Sequence, residues 1–485
     1  MTLHTAGADA LASELAAIVG ETHVLADAPS RLAYARDRLP FAVFEVRAGR
    51  IPGTMPRLVV CPGSPTEVAA IMALSAREGF AVIPFGAGSG VLGGAIPLSG
   101  EVMVDLKRLN RLVAIDAVNA LATVEAGMNG GQFEAALNAQ GWTCGHLPQS
   151  LHMSTVGGWV ACRGAGQAST RYGKIEDIVV GLEAVLADGR QVDIRAVARR
   201  SVGPSLRDLF VGSEGTLGII TRATLRIWRK PESETGVVVA CPDLGSAWAA
   251  ARTILQSELR PAVLRIYDAQ ESGPRVEGIS EFVQRPILAI LVFAGSRRMA
   301  ALEQELALEI LAAHGCVRVG DAPYRHWQGS RYLSYSSKWQ STGHYMDTIE
   351  VTGAWSALPE MYRRMGDAAR ALHPEMHFGA HWSHAYAEGA CQYMTLRLPP
   401  MDEGTALALH ARAWDAIQRL AVELGGSIAH HHGVGAFRGP WMRAELGTGL
   451  DVLQAIKDAL DPDNRLNPGK LGLRPAANAV ELRHG

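Results

Sequence analysis

The chain has 485 residues, 48% hydrophobic and 19% charged, and its 46 Lys+Arg against 48 Asp+Glu leave a formal net charge of −2. That length exceeds what one core fills, so two or more domains are expected, and the balanced charge offers no electrostatic footprint for nucleic acid. The six cysteines never form a CxxC, which argues for reduced, mostly buried thiols rather than a zinc ribbon or a disulfide scaffold.

The first 30 residues lack a basic segment followed by an apolar run and read as an amphipathic helix, so a cytoplasmic enzyme is expected. The longest apolar stretch, Ile287–Ala294, is too short to span a bilayer; peripheral membrane contact and homodimer formation stay open. From Arg57, short apolar strands alternate with amphipathic helices. Leu58–Cys61 reads as a strand, Pro65–Glu78 as a helix opening at a proline, and Ala81–Pro84 as a strand. Val102–Leu106 and Leu121–Glu125 are strand-like, and Gln132–Gln140 is a helix. The strand Ile178–Ala187 meets Asp188-Gly189, a hairpin turn signal, and Ile219–Trp228 is a further strand. The stretch from Lys230-Pro231 to Asp243 marks a boundary. Beyond it, strands Val237–Cys241, Val263–Tyr267 and Ile287–Phe293 alternate with helices Leu244–Leu255 and Met299–His314. A long helix Gly404–Leu424, a histidine-rich turn and a helix Asp451–Leu460 lead into DPDNRLNPGKLG. The predicted fold class is α+β, divided as 1–30, 31–232, 233–440 and 441–485.

Four glycine-rich stretches fall within one third of this text: PFGAGSG from Pro84, STVGGW from Ser154, STRYGKIED from Ser169 and VGSEGTLGIIT from Val211. Glycines allow close backbone approach and φ > 0 without a Cβ penalty, and runs of free N–H groups cradle anionic oxygens. Four such loops point to a long phosphate-bearing ligand, for which a dinucleotide cofactor is the natural candidate. The first loop misses the third glycine of G-x-G-x-x-G, and no clear helix follows it, which weakens a nicotinamide reading.

Downstream, His430, His431 and His432 precede Gly433-Val434-Gly435. Consecutive histidines point in different directions, so all three are not expected to serve one site. An imidazole titrates near neutrality and suits removal of a hydroxyl proton. His377 and His381 would share a helical face, whereas in extended structure His384 would flip sides. Three histidines can bind zinc with an open position; core or substrate-contacting roles are the alternative, and no metal is assigned. Arg331 and Lys338 could hold an anionic substrate or be surface charges.

Together these motifs resemble the FAD-dependent vanillyl-alcohol-oxidase/p-cresol-methylhydroxylase family. Within it, GHLPQSLHMSTVGGWV from Gly145, GAC-x-Y ending at Tyr393, HHHGVG and the C-terminal LNPGK are most like the alkyldihydroxyacetonephosphate synthases. The D-lactate, glycolate and D-2-hydroxyglutarate dehydrogenases are more distantly similar. The resemblance implies an FAD-binding domain, an α+β cap domain and a C-terminal segment returning to the first. It implies FAD contacts from Pro84, Phe85, Gly86, Ala87, Gly88, Ser89 and Gly90, from Pro148, Ser154, Thr155, Gly157 and Gly158, from Arg171, Tyr172 and Gly173, from Glu214, Gly215, Gly218, Ile219 and Ile220, and from Asn467. Members with covalent flavin use a histidine in the first loop; Gly88, Ser89 and Gly90 stand there, so noncovalent FAD is expected. The pattern sets His431 and His432 over the flavin with Tyr393, beside His430, and gives substrate contacts to Arg331, Lys338, His381 and His384. The implied reaction is hydride transfer from a small, anionic hydroxy acid or related alcohol to flavin N5, with a quinone, an electron-transfer protein or dioxygen as final acceptor. The alternative is alkylglycerone-phosphate synthesis with FAD as a covalent scaffold.

Overall fold

In the computed structural model, which describes residues 3–47, 49–333, 339 and 341–482, two sheets form in the first half of the chain. A four-stranded sheet has the order Val24–Leu25, Val59–Val60, Val102–Asp105, Val82–Phe85. Its last three strands run parallel, which requires a crossover. Helix Pro65–Glu78 supplies it: Ser64 caps its N-terminus, Gly79 ends it at φ 68, and Val68, Ile71, Met72 and Leu74 are buried beneath it. The crossover delivers the chain into Val82–Phe85, and the first glycine loop starts where that strand ends.

A five-stranded antiparallel sheet follows, ordered Leu112–Asp116, Leu121–Glu125, Ile219–Arg226, Val179–Val185, Gln191–Ile194. The hairpin turns at Gly189, whose φ is 86, as the Asp188-Gly189 signal requires. Two expected strands are shorter than their apolar runs. Val179–Val185 is preceded by a helical turn, Ile175–Ile178, because the Asp177 carboxylate accepts the Lys174 N–H. The strand from Ile219 stops at Arg226, and Trp228–Arg229 pairs instead with Trp142–Thr143.

The second half builds a seven-stranded antiparallel sheet ordered Val317–Arg318, Ser233–Cys241, Ile287–Gly295, Val263–Tyr267, His377–Ala385, Gly389–Leu398, Tyr345–Ala354. Side chains alternate across it. Leu264, Ile266, Ile349, Val351, Ala380, Trp382, Met394 and Leu396 share one core with residues of helices Leu244–Gln256, Arg297–Ala313, Leu358–Leu372 and Glu403–Glu423. The intervening positions, among them Arg265, Thr348, Glu350, His381 and Tyr393, project from the other face, where the site lies.

The C-terminal segment returns to the first sheet. Leu466 bridges Val82 in parallel, beyond the buried Lys457, whose Nζ donates to Asp461 and to the carbonyls of Thr216 and Leu466. Lys470 Nζ donates to Ile96 O at 2.8 Å. Among the described residues no helix is long and apolar enough to cross a membrane.

Candidate active site

The first glycine loop has the shape of an anion cradle. Gly88 sits at φ +60, and a Cβ there would come within 2.7 Å of Phe85 Cζ; a Cβ on Gly86 would meet Thr155 Oγ1 at 2.3 Å. Among the described residues no acceptor engages the backbone N–H groups of Gly86 to Gly90, a row of free donors suited to a pyrophosphate. Thr155 caps helix Val156–Cys162 by accepting the Gly158 N–H, and Ser154 Oγ accepts Trp159 Nε1 at 2.7 Å. Beside them His146, its ring tilted against that of Trp159 at 4.7 Å and pushed down to about 3 by burial, has no partner for either ring nitrogen among the described residues. Free loop donors and an orphaned buried imidazole fit a dinucleotide cofactor.

Other glycines in these motifs have protein neighbours. A Cβ on Gly145 would strike Tyr172, on Gly157 Ala126, on Gly215 Pro84 and on Gly218 Phe210, each within 2.8 Å, and at Gly173 it would meet Asp177. Ile219 and Ile220 are core residues, and Pro148 O accepts the Leu151 N–H. Arg171 reaches across to the half of the chain that builds the seven-stranded sheet, pairing with Glu303 of helix Arg297–Ala313 at 2.9 Å and donating to Arg260 O in a loop. Glu214, at φ 49, accepts the N–H groups of Val434 and Gly435 at 2.7 and 2.8 Å. Asn467 donates to Gly94 O and Glu214 O. These contacts join the glycine-rich motifs to the histidine turn.

The histidines converge from two elements. In strand His377–Ala385 the register slips between Ser383 and Ala385, and His384 lies in this bulge at φ 50. A regular strand would have turned His384 away from His381. The bulge instead brings it to the site face, where its ring lies 5.1 Å from His430 and 4.7 Å from His431. Its Nδ1 meets Ser169 Oγ at 2.7 Å. His381 stacks on Tyr393 at 4.7 Å, and Tyr393 lies 6.0 and 5.5 Å from His431 and His432. His430 contacts Tyr386 Oη through Nε2 and His431 through Nδ1, at 3.1 and 3.0 Å. Contrary to the expectation from consecutive positions, an irregular turn gathers all three rings of the triplet around one site. Burial drives His381, His384, His430, His431 and His432 below the ordinary imidazole value, so all five are neutral near pH 7.

His377 faces Glu271 at 3.7 Å, apart from this group. Among the described residues, donor atoms near enough to share one ion belong to Cys391, His430 and His431, within 4.8 Å, rather than to His377, His381 and His384. Burial holds the Cys391 thiol well above its usual range.

Sequence reasoning missed the group beneath the triplet. Glu350 is fully buried and accepts the backbone N–H groups of His430, His431 and His432 at 3.3, 3.1 and 2.8 Å. It pairs with the fully buried Arg438 at 2.5 Å. Burial opposes ionisation of Glu350, but Arg438 and His432 outweigh it and hold the carboxyl below its usual range. Only His432 of the triplet has a ring nitrogen near this carboxylate, Nδ1 at 3.8 Å, and that proximity offsets part of its burial shift. Arg265 was missed as well. Its Nε donates to Tyr267 Oη at 2.9 Å, and its charge adds to the downward shifts of His381 and His384. No carboxylate lies within ion-pair distance of it among the described residues. A polar residue at every second position of an otherwise apolar strand was the available signal: Thr348-Ile-Glu350-Val-Thr352 and Leu264-Arg265-Ile266 both show it.

Arg331 lies beside this group without touching the histidines. Its guanidinium is 4.7 Å from the Trp327 ring, which Arg265 approaches from 6.0 Å, and its Nε and one Nη are buried without a partner. Lys338 lies outside the described residues. Tyr393 Oη donates to Thr348 Oγ1 at 3.0 Å.

Comparison with known proteins accounts for this layout. Residues 56–195 match the FAD binding domain family, and residues 230–471 the C-terminal domain of FAD linked oxidases. An uncharacterized FAD-linked oxidoreductase of Escherichia coli (strain K12), YgcU, is 31% identical, with 95% of this chain and 98% of that protein covered. An alkyldihydroxyacetonephosphate synthase of Dictyostelium discoideum is 29% identical over 88% of this chain and 75% of that protein. A solved alkyldihydroxyacetonephosphate synthase superposes with TM-score 0.80 at 25% identity, covering 94% of this chain and 85% of that one. Loops, sheets and relatives agree: this chain is an FAD-binding enzyme of the FAD-linked oxidase family.

Proposed function

We propose that the enzyme oxidises a small anionic 2-hydroxy acid or closely related alcohol, with FAD held noncovalently by the glycine-rich loops. The observation that carries this reading is one sheet face presenting a guanidinium without a carboxylate partner, Arg265, beside neutral imidazoles and Tyr393. Such a face has a group for an anion and a base for a hydroxyl. Bound FAD supplies the two-electron acceptor.

The protein's own part is binding and proton transfer. Arg265 grips the substrate carboxylate, with the partnerless N–H groups of Arg331 available beyond Trp327. The Nδ1 of His432 faces Glu350, which leaves Nε2 to take the hydroxyl proton; the ionised Glu350 then stabilises the imidazolium. Tyr393 donates its O–H in a hydrogen bond to Thr348 Oγ1 and keeps its oxygen lone pairs for the substrate. Glu350 and Arg438 act through His432 and are positioning residues. Denaturation with trichloroacetic acid should leave all yellow colour in the supernatant; colour retained in the pellet would contradict noncovalent flavin.

A second reading, alkylglycerone-phosphate synthesis, is favoured by the likeness to the synthases. Net electron flow separates the two. The proposed oxidation must reduce a quinone analogue, an electron-transfer protein or dioxygen in step with substrate loss. Exchange of an acyl for an alkyl chain on a glycerone phosphate, with no acceptor consumed, would establish the second reading instead.

A further inference from the structure

Cys241 ends strand Ser233–Cys241, and Cys316 immediately precedes strand Val317–Arg318. These strands pair antiparallel as Val239↔Arg318 and Ala240↔Val317, so one further step of the register sets Cys241 opposite Cys316. Cross-strand neighbours lie at the Cα separation that disulfides require, and the two sulfurs are 2.6 Å apart. Both residues belong to the core shared by the sheet and helices Leu244–Gln256 and Arg297–Ala313. No comparable sulfur contact involves Cys61, Cys144, Cys162 or Cys391 among the described residues.

The place of the pair gives the bond a purpose. Val317–Arg318 is the outermost strand of the seven-stranded sheet and is only two residues long. Both its residues are exposed. A two-residue edge strand is held by few ladder hydrogen bonds and opens locally at low free-energy cost. Neither thiol serves the active site, which lies on the opposite face and further along the sheet.

We propose that Cys241 and Cys316 form an oxidative modification site, closing to a disulfide that clamps this edge strand. Two S–H bonds break and one S–S bond forms. The two electrons and two protons pass to a peroxide-class oxidant; with hydrogen peroxide the products are the disulfide and two waters. The bond closes a span of 75 residues, so it also constrains the unfolded chain. This inference is independent of the substrate reading.

The test uses the FAD-loaded full chain, treated with hydrogen peroxide, quenched with an alkylating agent in denaturant and digested for mass spectrometry. The expected result is a Cys241–Cys316 cross-linked peptide in most molecules, with the other four cysteines alkylated. Hydrogen exchange of amides in residues 316–320 should slow about tenfold or more in the oxidised protein. Cys316→Ser should lose the cross-link and the slowed exchange while its flavin absorbance persists. The proposal is overturned if wild-type Cys241 and Cys316 are both recovered alkylated after oxidation, or if either carries a sulfinic acid without cross-linked peptide. Unchanged exchange at the edge of cross-linked protein would refute the clamp.

Discussion

Glu350 shows how much of this site depends on a single side chain. Its carboxylate collects three consecutive N–H groups from the histidine turn and a buried guanidinium. Glu350→Gln keeps an acceptor oxygen but strands the Arg438 charge, so a loss of about 3 kcal/mol is expected in urea unfolding. Replacing both residues with apolar ones should recover part of it. A positioning role also has a kinetic mark. Because Glu350 raises the His432 value that burial lowers, the acid limb of kcat/KM should lie below the ordinary 6.5 in wild type and fall further in Glu350→Gln. An unmoved limb would reduce Glu350 to structural support. His432→Ala is expected to lower kcat about 10²- to 10⁴-fold with flavin retained. Arg265→Met should raise KM for an anionic substrate about 10- to 100-fold, the value of one charged hydrogen bond, and leave KM for an uncharged alcohol nearly unchanged.

At the scale of elements, the first glycine loop and the bulge at His384 carry the geometry. Gly88→Val meets two obstacles, a φ of +60 and a Cβ 2.7 Å from Phe85 Cζ, and should yield protein with native-like far-ultraviolet dichroism but little bound flavin. A variant with full flavin content would place the cofactor elsewhere. These loops were legible in the sequence because glycine and proline act locally, as did the strand and helix periodicities around them. The histidine triplet was legible as a rare run. Glu350, Arg265 and Arg438 were not, because each looks ordinary until chain return brings Arg438 to Glu350, 88 residues away, and sheet register sets the strand of Arg265 beside that of His381. The His384 bulge escaped for a related reason. It adds one residue to a strand and thereby reverses the face that alternation predicts, and no turn residue marks it. Several glycines expected to contact the cofactor are points where protein segments touch, as Gly157 does on Ala126.

Across the whole molecule, the two halves are held together at the site. Glu214 of the first unit braces Val434 and Gly435, Lys174 donates to His430 O at 2.6 Å, and Arg171 pairs with Glu303. Burying neutral imidazoles at that junction makes stability depend on pH. His384 is pushed down to about 3 by burial, so the unfolded chain binds its proton first. Its contribution is intact above 6.5 and is lost as pH falls from there toward 3, at a slope of about 1.4 kcal/mol per pH unit. His384→Gln keeps a partner for Ser169 without titrating. Its stability deficit against wild type should therefore shrink as unfolding is measured at successively lower pH below 6.5, and a constant deficit would show that His384 is already charged in the fold. The central claim, that this face binds an anionic hydroxy substrate for oxidation, is tested most directly by anaerobic absorbance titration of the yellow protein against a panel of 2-hydroxy acids and uncharged alcohols. The account predicts that a 2-hydroxy acid bleaches the flavin band, at a much higher half-saturating concentration in Arg265→Met. A band untouched by every hydroxy acid, yet perturbed by an acyl-glycerone phosphate, would contradict it.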